Sequence, residues 1–199
     1  MTSDSLGVYV PVDPSIARDD FLAMNPLGQV PTLVLDHGQR GQVVITQLTA
    51  VLSYVSCLRD SHGMSGRDAL EQAKVQEWLS YISATFTITG FTQIFRPTRV
   101  VGEAAFEEVL QAVRNVGYEI VVAGLYHVET RLDDSGFAVG YHLTVVDFLL
   151  WTVWGWADRA GLRTQTDRVS KLRGVVERVG KVERLQDVLA REKGEDRVD

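Results

Sequence analysis

The alternation of apolar and polar positions changes its rhythm once along this chain. Up to about residue 60 the apolar runs are short. Residues 6–12 are β-branched and aromatic and stop at Pro14, which predicts a short strand. Ile16, Ala17, Phe21 and Met24 fall at helical spacings, and Asn25-Pro26 closes that helix because a residue before proline is driven out of the helical region. Residues 32–35 and 43–45 are two further apolar runs, separated by Asp36-His37-Gly38-Gln39-Arg40-Gly41, the composition of a hairpin loop. Ala50, Val51, Tyr54, Val55 and Leu58 then mark one apolar helix face.

Beyond Ser61-His62-Gly63-Met64-Ser65-Gly66 only helical periods remain. Val75, Trp78, Leu79, Ile82 and Phe86 follow i, i+3, i+4, i+7, i+11. Phe106, Val109, Leu110 and Val113 open a second helix, which Val121, Leu125, Val128 and Leu132 continue, and Leu172, Val175, Val176, Val179 and Val182 mark a late one. In Leu143-Thr144-Val145-Val146-Asp147-Phe148, Thr144 and Asp147 have the spacing of a capping box, with Leu143 placed to staple Phe148. The helix it starts, residues 145–157, is apolar nearly all round and carries Trp151, Trp154 and Trp156, which places it at the centre of the helical unit with the tryptophans as core packing. The stretch 61–66 is therefore the expected linker between an α/β unit and an all-helical one.

Composition adds exclusions. With 199 residues, 45% of them hydrophobic, the chain suits one large domain or two small ones. A net charge of −6 argues against a nucleic-acid partner, since phosphate neutralisation needs a positive surface. The single cysteine, Cys57, has no partner for an internal disulfide and reads as a packing thiol in a reducing compartment. Residues 1–12 lack the pattern of a secretory signal, and the most apolar stretch, residues 143–157, is broken by Asp147 and shorter than the roughly 20 residues of a membrane span. A cytoplasmic protein with no membrane partner is expected.

Catalytic chemistry is harder to find. His37, His62, His127 and His142 are scattered without metal-ligand spacing, so no metal is expected. No phosphate-binding glycine loop, dinucleotide fingerprint or Gly-x-Ser-x-Gly elbow occurs. The basic residues from Arg163 to Arg184 are interleaved with Asp167, Glu177, Glu183 and Asp187, the pattern of a solvated face.

Four separated motifs, in order, resemble glutathione S-transferases, with spacing closest to the bacterial beta-type and fungal members. Phe21-Leu22-Ala23-Met24-Asn25-Pro26-Leu27-Gly28-Gln29-Val30-Pro31-Thr32-Leu33-Val34-Leu35 resembles the family's segment from second helix to third strand. Val44-Ile45-Thr46-Gln47-Leu48-Thr49-Ala50-Val51-Leu52-Ser53-Tyr54-Val55 is similar to the strand and helix that follow, Leu143-Thr144-Val145-Val146-Asp147-Phe148-Leu149 to the buried capping-box helix, and residues 175–191 to the late helix. The resemblance implies a thioredoxin-like α/β unit, roughly residues 1–62, followed by an all-α domain, roughly 67–199. It implies a cis Val30-Pro31 peptide in a tight turn, with the Val30 N–H and C=O open to an extended peptide. Pro31 as a simple strand start is the alternative. Glutathione, where it is used, would be held by Gln29, Val30, Pro31, Gln47 and the backbone of Leu48.

The chain also departs from the family. Residues 6–12 align best with the family's second strand, so a truncated N-terminal unit without the first strand and helix is expected. Ser3, Ser5 and Tyr9 are poor thiol activators, because no helix start follows the serines and Tyr9 sits inside the predicted strand. Gln47 and Leu48 stand where the family usually places an acidic residue and then serine, and Leu48 offers no hydroxyl to a ligand carboxylate. Ile88 and Thr89 stand where beta-type members often carry His-Lys near the cleft.

Tyr81, Thr85, Ile88 and Thr92 recur at i, i+4, i+7, i+11 and so share one face of a regular helix, an apolar wall with hydroxyls that suits a small hydrophobic molecule. Tyr81 is the candidate catalytic hydroxyl. The same face can instead pack on a neighbouring helix or a second subunit, and the family implies a homodimer. The expected function is an enzyme on a small hydrophobic organic substrate, by glutathione conjugation or thiol-assisted isomerisation, or by a glutathione-independent isomerisation, elimination or cyclisation. The alternative is a non-catalytic binding or interaction protein of the same fold.

Overall fold

A computed structural model describes residues 18–36, 41–58, 63–162 and 168–192, with residues 191 and 192 described by backbone alone. The strand expected at 6–12, the helix start at Ile16 and Ala17, and Ser3, Ser5, Tyr9, His37, His62, Arg163 and Asp167 lie outside the described residues. The chain forms two compact units, Met1–Val55 and Ser56–Asp199, a division that falls ahead of the 61–66 stretch.

In the small unit, helix α1 (Arg18–Met24) leads into strand β1 (Thr32–Asp36), strand β2 (Gln42–Thr46) and helix α2 (Leu48–Cys57), which runs across the division. The two strands pair antiparallel with Leu33 opposite Ile45 and Val34 opposite Val44. Each extends by one residue or more beyond its apolar run, because pairing carries Asp36 and Gln42 into the ladder. Leu35 and Val51 are the buried hydrophobic residues among those described in this unit. Val55 and Leu58, expected on a buried helix face, are about half exposed. Cys57 is exposed as well, which corrects its reading as a packing thiol: on the last turn of α2 the buried position is its neighbour Ser56.

Every regular element among the described residues of the large unit is a helix: α3 (Ala69–Tyr81), a π-helical segment (Ile82–Phe91), α4 (Thr92–Phe95), α5 (Thr98–Val101), α6 (Glu107–Arg131), α7 (Val145–Arg159), α8 (Ser170–Gly180) and α9 (Glu183–Glu192). Asp68 starts α3 by accepting from the Glu71 N–H at 2.9 Å, and the Glu71 carboxylate reaches back to the Arg67 N–H at 2.8 Å. The first periodic stripe is buried as expected: Val75, Leu79, Ile82 and Phe86 are fully inaccessible and Trp78 nearly so. Glycines let α6 lie close against the π segment and α4. A Cβ on Gly124 would meet the Phe86 ring at 2.9 Å, and one on Gly117 would meet the Gly90 carbonyl and Ile94 at the same distance.

The π turn was not legible as a regular helix. Hydrogen bonding to the fifth residue replaces the four-residue ring there. The Thr87 hydroxyl donates to the Ile82 carbonyl and the Thr92 hydroxyl to the Thr87 carbonyl, both five residues back. Aromatic rings repeat at the same interval: Tyr81 meets Phe86 edge-on, and Phe86 stacks on Phe91 at 6.1 Å.

The capping box closes at α7. Asp147 is buried and accepts from the Thr144 N–H at 2.7 Å, the Thr144 hydroxyl at 2.9 Å and the Ala138 N–H at 2.8 Å. Helix α7 buries Val146, Leu150, Val153 and Ala157 against α8 and α3, but Trp151, Trp154 and Trp156 are only half-buried. They flank the buried stripe instead of forming its centre, and Trp156 meets Phe91 edge-on at 5.5 Å. Helix α6 differs from expectation at its start, where Phe106 is 79% exposed and Val109 is exposed. Its buried positions begin at Gly117. Among the described residues no helix is long and apolar enough to cross a membrane.

Candidate functional site

The first candidate site is the turn that carries the chain from α1 into β1. A helix that ends before proline leaves its last carbonyls to be satisfied locally, and here Asn25 does that work. Its N–H donates to the Phe21 carbonyl at 2.8 Å and its carbonyl accepts from the Gly28 N–H at 2.9 Å. Its side-chain oxygen accepts from the Leu27 N–H at 3.2 Å, and its Nδ2 donates to the Gln29 carbonyl at 2.7 Å and to Thr32 Oγ1 at 3.0 Å. Gly28 takes the left-handed conformation (φ +61°) that this tight loop needs.

The outcome is a displayed stretch of main chain. The Val30-Pro31 peptide is cis, the isomer the resemblance implies. Gln29 and Val30 are exposed, Val30 by 62%, and Pro31 is half-buried. Neither the N–H nor the C=O of Val30 is hydrogen-bonded among the described residues; β1 pairing begins at Thr32.

In the same unit Gln47 links β2 to α2. It is exposed and holds φ +76°, the left-handed region a non-glycine residue seldom adopts, so the backbone at this junction is strained. Leu48 is half-buried and opens α2, whose first turn carries no acidic side chain. The unpaired N–H groups of such a helix start attract anions.

In the large unit the residues expected on one wall differ in exposure. The α-helical count that grouped Tyr81, Thr85, Ile88 and Thr92 does not apply across a π segment, where each turn takes up more residues. Ile88 is 62% exposed, while Tyr81, Thr85 and Thr92 are half-buried. The Thr92 hydroxyl is engaged with the Thr87 carbonyl.

Tyr81 sits in the richer surroundings. Its ring lies 4.9 Å from the His127 ring and 5.9 Å from Phe86, centroid to centroid. The Arg131 guanidinium lies 4.1 Å over the Trp78 ring, 6.0 Å from the Tyr81 ring, and pairs with Glu77 at 3.0 Å. Burial pushes the Tyr81 phenol up, against a weaker opposing pull from Arg131. His127 is exposed and yet belongs to this cluster.

An open depression of about 520 Å³ lies elsewhere on α6, lined by Tyr118, Glu119, Val122, Ala123, Tyr126 and Leu162. It contains none of the residues expected to line a substrate pocket. Its signal in the sequence is Tyr118, Val122 and Tyr126 at four-residue steps, beside the stripe of Val121, Leu125, Val128 and Leu132 and not part of it.

No known family profile matches the chain. Among individual proteins, the chain is similar to glutathione S-transferase GstA of Escherichia coli O157:H7, with 30% identity over 175 residues, which cover 87% of this chain and 79% of that protein. It is also similar to probable elongation factor 1-gamma 2 of Arabidopsis thaliana, with 26% identity over 65% of this chain but only 29% of that protein. Among solved structures, a ternary complex of BphK, a bacterial glutathione S-transferase, superposes with a TM-score of 0.69 at 27% identity, over 87% of this chain and 79% of that one.

Proposed function

Because this chain belongs to the glutathione S-transferase family, we propose that it is an enzyme that binds glutathione on its small unit and acts on a small hydrophobic organic molecule. The observation that carries this reading is the open main chain of Val30 ahead of Pro31. An extended peptide gains a pair of main-chain hydrogen bonds there, as in strand addition. The side-chain amides of Gln29 and Gln47 suit the polar ends of the ligand, and the N–H groups opening α2 at Leu48 suit a carboxylate without help from a hydroxyl. Bound glutathione supplies a thiol nucleophile.

On the large unit, Tyr81 is the proposed catalytic hydroxyl, with Thr85, Ile88 and Thr92 as the further residues that contact substrate. A phenol raised by burial stays protonated at neutral pH, so Tyr81 donates a hydrogen bond or a proton to a developing oxyanion and does not act as a base. That role fits conjugation and thiol-assisted isomerisation, and it fits a glutathione-independent isomerisation, elimination or cyclisation equally well. Apolar residues left open on α6, Phe106, Val109 and Val116, support a homodimer in this reading, and an exposed free thiol at Cys57 suits the cytoplasm.

Calorimetric titration with glutathione and S-hexylglutathione, followed by a conjugation assay with a generic aromatic electrophile, tests the proposal. Binding of both with turnover is expected, and a Tyr81→Phe variant is expected to lose most of that turnover. Failure to bind either ligand removes the glutathione reading. A second reading, a non-catalytic member of the fold, is favoured by Leu48 in place of a hydroxyl and by the similarity to an elongation factor subunit. Binding without turnover on any electrophile selects it.

A further inference from the structure

We propose that Asn25 is a positioning residue for peptide binding: its buried side chain fixes the shape of the Gln29-Val30-Pro31 edge. The inference rests on the glutathione-binding reading above. Asn25 is 3% exposed and touches no ligand in that reading. What distinguishes it is where its bonds end. The Leu27 N–H and the Gln29 carbonyl lie before Val30 and Thr32 Oγ1 lies after Pro31, so one amide ties down both shoulders of the displayed peptide. The Thr32 hydroxyl, which accepts from Asn25, donates in turn to the same Gln29 carbonyl at 3.0 Å. Between these ties only Val30 and Pro31 are free to present main chain outward.

The chemistry requires this residue type. Two acceptors and one donor converge on the position, so the side chain must donate twice and accept once within a short reach. Aspartate accepts but cannot donate when ionised, serine donates only once, alanine supplies none of the bonds, and each group left unpaired in a buried place is costly. A loop that loses these ties samples other conformations, and the ligand must then select the competent one, which weakens apparent affinity by the fraction populated.

Titrations of the full chain with glutathione, compared across variants, decide the matter. Asn25→Ala is expected to weaken binding at least tenfold. Thr32→Val, which removes one acceptor and one donor, is expected to weaken it less and serves where Asn25→Ala folds poorly. Asn25→Asp is expected to match alanine at neutral pH and to recover part of the affinity, relative to wild type at the same pH, as the carboxyl protonates and regains a donor. Leu35→Ala is the control: it opens a cavity on β1 outside the loop and is expected to lower stability while leaving affinity within twofold. Wild-type binding with unchanged affinity in Asn25→Ala, or equal losses in Asn25→Ala and Leu35→Ala, overturns the role of Asn25 alone. A wild-type protein that does not bind glutathione overturns the functional reading, and this role with it.

Discussion

The two units hold their shape by opposite means. In the large unit, Val75, Leu79, Ile82, Phe86, Val121 and Val128 are wholly inaccessible, and Gly90, Gly117 and Gly124 let backbones close to contact distance. Interlocked apolar volume does the work there. In the small unit, burial of hydrophobic side chains is nearly confined to Leu35 and Val51 among the described residues, and the candidate edge is shaped by the hydrogen bonds of Asn25. A surface that recognises a ligand through its main chain must leave that main chain unpaired, so it cannot be braced by a sheet or a core on the same groups. A buried polar side chain beside it is the available brace.

The largest effect should follow from breaking the apolar interlock. Phe86→Ala removes the ring that fills the space over Gly124 and stacks on Phe91, and such truncations cost about 3–5 kcal/mol. All four tryptophans, at 78, 151, 154 and 156, belong to the large unit, so urea unfolding followed by tryptophan fluorescence reads that unit directly. A loss below about 1 kcal/mol would mean that the close approach at Gly124 is not what holds α6 to the π segment.

Much of this contrast was legible in the sequence. The stripe through Val75, Trp78, Leu79, Ile82 and Phe86, the capping box at Thr144 and Asp147, and the paired runs at Thr32 and Val43 each depend on local spacing, and local spacing is what sequence patterns encode. The π segment is not legible from an α-helical period, which places Tyr81, Thr85, Ile88 and Thr92 on one face. The five-residue step from Tyr81 to Phe86 to Phe91 was the available signal. On the small unit, the motif around Val30-Pro31 points to the edge, but in the sequence Asn25 marks only the end of a helix. Its side-chain bonds reach across the loop to Thr32, and no period marks them.

A smaller effect tests a polar tie within the apolar unit. Helix α8 has no cap from its own N-terminal residue; instead Glu129 of α6 accepts from the Lys171 N–H at 2.9 Å and the Leu172 N–H at 3.0 Å. The carboxylate therefore caps a helix from another element, which places negative charge at the positive end of its dipole. Glu129→Ala is expected to cost about 1–2 kcal/mol, as loss of a helix cap does. Glu129→Gln should cost less, since the amide oxygen still accepts one bond. Equal midpoints for wild type and Glu129→Ala in the same fluorescence assay would assign α8 to apolar packing alone and sharpen the contrast between the units.

The smallest effect concerns Asp147, the carboxylate buried inside the apolar unit among its described residues. Three hydrogen bonds favour the ionised form of Asp147, but burial outweighs them and holds its carboxyl above the ordinary aspartate range. The sign of the pH dependence follows. Between the ordinary value of 3.8 and the raised one, the folded chain binds more protons than the unfolded chain, so this group's contribution to stability falls as pH rises through that window. Exposed Glu77 and Asp133 are lowered, chiefly by hydrogen bonds from Lys74 and Ser135 respectively, and act in the opposite direction. Their contributions cancel when wild type is compared with Asp147→Asn at each pH. The variant is expected to be less stable throughout, because its amide NH₂ meets a backbone donor, yet the gap should narrow as pH rises from the ordinary aspartate value. A gap that widens instead would show that the capping bonds outweigh burial, and that even the centre of the large unit is held by a polar network of the kind Asn25 builds in the small one.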